Sequence, residues 1–191
     1  MALGDRFTPT LDAARAGAEW AWVSIYTDLA APVIGFLRGR GARDPEDLAG
    51  EVFLQVVRDL GGFSGDEGAF RAWVFVIARH RALDEWRRSG RRPVELSHEA
   101  PPEEGASEDA AEPALRRVAT GRVLQILGGL SVDQQEVLLL RVIGDLTVDE
   151  VARVVGKSPG AVKALQRRGL EAARISLSEP GVPTQASSAL T

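Results

Sequence analysis

The stretch that most limits how this chain can fold is "SVDQQEVLLLRVIGDLTVDEVARVVGKSPGAVKALQRRGLEAAR", residues 131–174. It is punctuated by helix starts and stops. Ser131 with Gln134, and Thr147 with Glu150, each match the capping box, in which a hydroxyl accepts the N–H three residues on and that residue's side chain reaches back. Ser158 followed by Pro159 is a third start, an N-cap with proline at the first helical position. Gly144 sits where a C′ glycine belongs, and Gly156 turns the chain. Val148, Val151, Ala152 and Val155 share one face of a helix of about eight residues.

A short capped helix, a turn holding Gly and a second capped helix form a helix-turn-helix signature. The second helix has Val162, Leu165 and the small Gly169 to bury, and its other faces carry Lys163, Gln166, Arg167 and Arg168. Amide and guanidinium groups suit major-groove base edges and phosphates, and the first turn offers backbone N–H groups to a phosphate. The solvated face of any amphipathic helix carries similar residues, so a purely structural reading stays open at this point.

Before this stretch, Leu115–Leu127 reads as one more helix, closed by Gly128 and Gly129. Residues 20–38 are apolar with helical recurrence at Trp22, Ile25, Tyr26, Leu29, Val33 and Leu37, and Pro32 leads us to expect a kink or break. Asp44 and Pro45 start another helix, with Glu46 and Asp47 in the first turn where the dipole favours acids. It runs to about Leu60, where "GGFSGDEG" breaks it. A further helix starts near Ala69 and places Phe70, Trp73 and Ile77 on a core face. Its continuation, residues 79–92, holds six Arg. No useful length shows strand-like alternation, so the expected fold class is all-α.

Charge divides the chain more sharply than hydropathy does. The whole carries a formal −4, but residues 94–114 alone carry seven acids and no Lys or Arg. That segment, rich in Pro and without aromatic residues, reads as a flexible acidic linker. It separates a near-neutral unit, 20–93, from a basic unit, 115–174, of net +4. Residues 1–19 form an N-terminal extension and 175–191 a polar tail.

Several classes are excluded. Cysteine is absent and the histidines are only His80 and His98, which argues against disulfides, thiolate sites and a His-rich metal centre. There is no Gly-rich phosphate loop and no paired nucleophile and base, so neither an enzyme nor a cofactor or small-molecule substrate is expected. No apolar run approaches the roughly 18–20 residues that cross a bilayer. Asp5 and Asp12 interrupt any secretory leader, so a cytoplasmic protein without membrane insertion is expected. Two classes remain: a transcription-initiation subunit, and a stand-alone helix-turn-helix regulator with a partner- or ligand-binding front domain.

Three stretches, in order, bear a family resemblance: "DPEDLAGEVFLQVVRDLGGF", "FRAWVFVIARHRALDEWRR" and "LSVDQQEVLLLRVIGDLTVDEVARVVGKSPGAVKALQRRGLEAAR". The first two resemble region 2, and the third region 4, of the extracytoplasmic-function (ECF) group of bacterial sigma factors in the sigma-70 family. The resemblance implies a region 2 helical bundle over 20–93 and a region 4 helix-turn-helix over 115–174. Core RNA polymerase would be contacted through Asp47, Glu51, Phe53 and Gln55. The −10 strand would be met by Phe63 and Ser64 in the loop that captures a flipped base, with Arg71, Arg79, His80, Arg87 and Arg88 beside it. The −35 duplex would be read by Ser158, Lys163, Gln166, Arg167 and Arg168. An anti-sigma factor is a further implied partner. The chain departs from the family pattern at Gly50, where Gln is usual, at His80, where Asn is frequent, and in "SPGAVKALQRR" of the recognition helix.

Overall fold

The computed structural model describes residues 3–89 and 126–178, and every regular element among them is helical. In the N-terminal half α1 spans Phe7–Arg15, α2 Glu19–Gly39, α3 Pro45–Asp59 and α4 Glu67–Ser89. In the C-terminal half α5 spans Val132–Val142, α6 Val148–Val155 and α7 Pro159–Ser178. The acidic linker 94–114, nearly all of the helix expected at 115–127, and the tail beyond 178 lie outside the described residues; 126–128 are helical.

The middle helix is α2. Ala21, Ile25, Leu29, Val33, Phe36 and Leu37 recur every three or four residues and are buried, and α1, α3, α4 and α5 pack around them. Pro32 lies inside the helix without ending it, because the buried row runs on from Leu29 to Val33 and holds both sides of the proline in one core. Here the expectation of a break is corrected. Corrected too is the reading that no segment has spanning length: α2 is long and apolar enough by length and composition to cross a bilayer. In this fold one apolar row, Ala21 to Leu37, faces neighbouring helices, while Trp20, Val23 and Tyr26 stay exposed.

The caps form where the residue types demand them. Asp44 accepts the Asp47 N–H at 2.9 Å, and Ser131 with Gln134 and Thr147 with Glu150 close both halves of their boxes. Ser158 accepts the Ala161 N–H at 3.2 Å. Such a cap stabilises its helix by about 1 kcal/mol. Helix α4 starts at Glu67, slightly earlier than read from sequence, because Asp66 caps it by accepting the Ala69 N–H at 2.7 Å. Gly144 follows the C-cap, but the left-handed residue of that turn is Asp145, with φ 53°. What requires glycine at 144 is proximity, since a Cβ there would stand 2.7 Å from the Leu140 carbonyl oxygen of its own turn and 3.1 Å from Phe75 Cζ across the halves.

That proximity joins the two halves. α5 crosses α2 at a notch made by Gly35 and Gly39, four residues apart on α2; Ile143 and Leu139 fill it. A Cβ on Gly35 would lie 2.9 Å from Ile143 Cγ2, and one on Gly39 would collide with Leu139. α6 lies along α4, and buried residues of both halves form one continuous core.

Candidate nucleic-acid and polymerase interface

α6, the turn at Gly156 and α7 form the helix-turn-helix. Gly156 adopts the left-handed conformation (φ 68°, ψ 34°), and the Lys157 N–H donates to the Ala152 carbonyl at 3.1 Å. Lys157 Nζ lies 3.0 Å from Asp133, tying the turn to the start of α5. Val162 is fully buried, and Gly169 lets α7 press on Leu138, 3.0 Å from where a Cβ would sit. With that face inward, Ser158, Lys163, Arg167 and Arg168 are exposed and Gln166 is half-buried. Arg168 Nε donates to the Ala164 carbonyl at 3.3 Å, a local bond that leaves most of its guanidinium outward.

The candidate residues on α4 fall into two groups. His80, Arg87 and Arg88 are exposed; Arg87 pairs with Asp84 at 3.0 Å, and Arg88 donates to the Asp84 carbonyl at 3.3 Å. His80 and Arg87 join Gln55, Arg79, Arg81 and Asp84 around a shallow open groove. Arg71 and Arg79 are instead drawn against the rest of the chain. Arg71 pairs with Asp28 at 2.7 Å and donates to the Gly144 carbonyl at 3.3 Å. Arg79 donates to Glu136 of α5 at 3.0 Å. The same Glu136 oxygen stands 3.6 Å from Arg40, and Arg40 and Glu136 are only 2% and 3% exposed. Arg40 lies over the Trp86 ring at 4.3 Å. Burial pulls the Arg40 guanidinium below the usual arginine range, against the opposing pull of Glu136.

In the loop before α4, Ser64 is exposed, while the Phe63 ring is half-buried between Phe70 and Trp73, at 5.3 and 5.2 Å. On α3, Asp47 is exposed, and Glu51 and Gln55 both receive Arg81, at 3.4 and 2.9 Å. Phe53 is turned inward against Tyr26, ring centroids 4.9 Å apart, and is 8% exposed. The outward apolar residues of α3 are Leu54 and Val57, and α2, which packs on α3, has Trp20, Val23 and Tyr26 on its exposed face. Sequence reading missed that face, although Leu54 and Val57 lie three apart, off the main buried stripe. It missed Arg40 and Glu136 as well; the available signal was a lone acid heading the apolar run "VLLL".

An all-α chain ending in a helix-turn-helix with a basic outer face has the form of a DNA-binding transcription protein. Comparison with known proteins is consistent with that class and narrows it. Residues 25–92 match Sigma-70 region 2 and residues 120–172 match Sigma-70, region 4. The chain is 36% identical over 132 residues to the ECF RNA polymerase sigma factor ShbA of Streptomyces griseus, covering 68% of this chain and 69% of ShbA. It is 31% identical over 169 residues to the RNA polymerase sigma factor CarQ of Myxococcus xanthus, covering 86% and 94%. With the ECF sigma factor BldN of Streptomyces coelicolor it shares 30% over 167 residues, and it spans 63% of that protein's length. The fold is shared with CnrH, solved in complex with the cytosolic domain of CnrY, at a TM-score of 0.65 and 22% identity over 88% of this chain and 94% of that one. The chain belongs to the ECF sigma factors of the sigma-70 family. It is a sigma factor that directs RNA polymerase to promoters.

Proposed function

We propose how the surfaces divide that work. α7 reads the −35 duplex with Lys163, Gln166, Arg167 and Arg168, while Ser158 holds its N-terminus toward a phosphate. The groove beside His80, the Arg-rich end of α4 and the 61–66 loop receive the −10 strand, where a base leaves the stack at a cost of a few kcal/mol that pocket contacts repay. The α3 face around Asp47, Glu51 and Gln55 docks on core RNA polymerase, with Leu54 and Val57 as its apolar centre; Phe53 supports it from inside. The observation that carries this division is the seating of α7, which buries Val162 and leaves Lys163, Arg167 and Arg168 exposed.

Partners follow from the same surfaces: core polymerase, promoter DNA, and an anti-sigma factor whose chemistry must cover the exposed apolar face of α2 and α3. The cytoplasm is the proposed place of action. Reconstitution with core polymerase on a promoter template tests the reading. Promoter-dependent transcripts are expected, with weak duplex binding by the chain alone. Tight duplex binding without any affinity for core polymerase would favour a stand-alone regulator instead.

A further inference from the structure

Residues 3–15 carry none of the groups assigned above, yet they hold the 61–66 loop from several sides. The Glu67 carboxylate accepts the Leu3 N–H at 2.6 Å and the Gly4 N–H at 2.9 Å. Arg15 donates to the Phe63 carbonyl. Phe7, 5% exposed, sets its ring 5.6 Å from Phe70, the same ring that supports Phe63. Between these anchors Ser64, Gly65 and Asp66 are exposed. Gly65, at φ 152°, has no room for a side chain, since a Cβ would lie 2.9 Å from that of Ala69. The loop is fixed at both ends and open in its middle, so its shape is set before any ligand arrives, which lowers the ordering cost of binding.

We propose that residues 3–15 brace this loop for the unpaired −10 base, with Arg15 and Glu67 as positioning residues. The proposal rests on the reading of the loop as the base-capturing surface. The test uses the full chain bound to core polymerase and a fluorescent single-stranded −10 oligonucleotide, with each base placed in turn at the captured position. Arg15→Ala, which removes one hydrogen bond to the loop, should weaken binding about fivefold; Glu67→Ala, which removes two, should weaken it at least as much, and both should flatten discrimination among bases. Arg15→Lys should recover part of it. Unchanged discrimination in both alanine variants, even with a lowered thermal midpoint, would overturn the brace. A photoreactive base at the captured position separates the two levels. Crosslinking to residues 63–66 upholds the reading of the loop, whereas crosslinking only elsewhere removes that reading and the brace with it.

A second inference rests on a different observation, the buried charge cluster between the halves. One carboxylate, Glu136, faces two guanidiniums, Arg40 and Arg79, and Arg40 Nε has no hydrogen-bond partner among the described residues. Such a cluster is close to break-even, because desolvation offsets most of the attraction. It persists only while the surrounding packing, Leu139 and Ile143 in the glycine notch of α2, keeps it dry. We infer that this is a closed state in which Glu136 withholds Arg79 from nucleic acid; Arg71 is held chiefly by Asp28 of its own half and is no part of the latch. Initiation requires the halves to part. Because the chain has no cysteine, Gly35→Cys with Ile143→Cys gives one disulfide across the notch. The oxidised double variant should lose at least tenfold in promoter-dependent initiation and regain it on reduction. Equal initiation in both redox states, with the disulfide verified by mass, would overturn the closed state. Glu136→Gln gives an independent check, with single-stranded −10 oligonucleotide affinity rising severalfold; unchanged affinity would count against the latch.

Discussion

The two helices proposed to face DNA in this sigma factor present their cations differently. α7 holds Lys163 and Arg167 in solvent, and its fixed points are apolar: Val162, and Gly169 against Leu138. On α4, Arg71 and Arg79 are spent on carboxylates of the same chain, and only the far end, with His80, Arg87 and Arg88, is open. The difference lies in what each helix packs against. α7 is buried by its own helix-turn-helix partners α5 and α6, whereas α4 lies against α2 and α5 residues, Asp28 and Glu136, that take up its arginines. A basic residue type therefore says less about availability than the neighbour opposite it.

The largest effect should come from removing the acid that links the halves. Glu136→Ala leaves two guanidiniums without their carboxylate and should cost about 3–5 kcal/mol in chemical denaturation. Replacing Arg40 and Glu136 together with Met should be far milder, since apolar residues of similar volume often equal a buried pair. If the double variant is as damaged as the single one, the cluster is not the source of the loss. Leu139→Ala should cost about 2–5 kcal/mol, because Leu139 is buried and fills the notch at Gly39. Ser158→Ala should cost about 1 kcal/mol through the lost cap and should weaken −35 binding along with the frayed first turn.

Arg167→Ala sharpens the comparison from the other side. It should leave stability within about 0.5 kcal/mol, as an exposed substitution does. It should also weaken −35-dependent initiation and lower the salt slope of DNA binding by about one. The smallest effect concerns pH. The Arg174 hydrogen bond holds the fully exposed Glu171 carboxyl below its usual range. A lowered value means that the pair's contribution is present above the ordinary carboxylate range and fades as pH falls through the depressed one. Glu171→Gln should therefore remove only a slight acid-limb slope from the denaturation profile.

Much of the helix pattern was legible because it depends on neighbours in sequence. Asp44, Ser131, Thr147 and Ser158 cap through residues three positions away, and Val148, Val151 and Val162 declare their faces by spacing. What could not be read depends on residues far apart. Arg40 meets Glu136 across 96 positions, and Gly35 and Gly39 are required by Ile143 and Leu139 of a helix distant in sequence. Phe53 matched a contact position in the family pattern, but its spacing in α3 places it on the buried side with Val52 and Val56. Arg71 and Arg79 were legible as cations on α4; that Arg71 is engaged follows from the packing of α2 against α4, and that Arg79 is engaged follows from the fold of the C-terminal half onto the N-terminal half.

The absence of cysteine allows the central claim, that Arg79 of α4 is withheld in the free chain and released on the polymerase, to be measured as one distance. Dyes placed at Arg58→Cys on α3 and Leu170→Cys on α7, both exposed positions, report the separation of the halves by energy transfer. The account predicts a single short distance in the free chain that lengthens when core polymerase and promoter are added. A distance that is already long and broad in the free chain, or that stays short in the initiating complex, would contradict it.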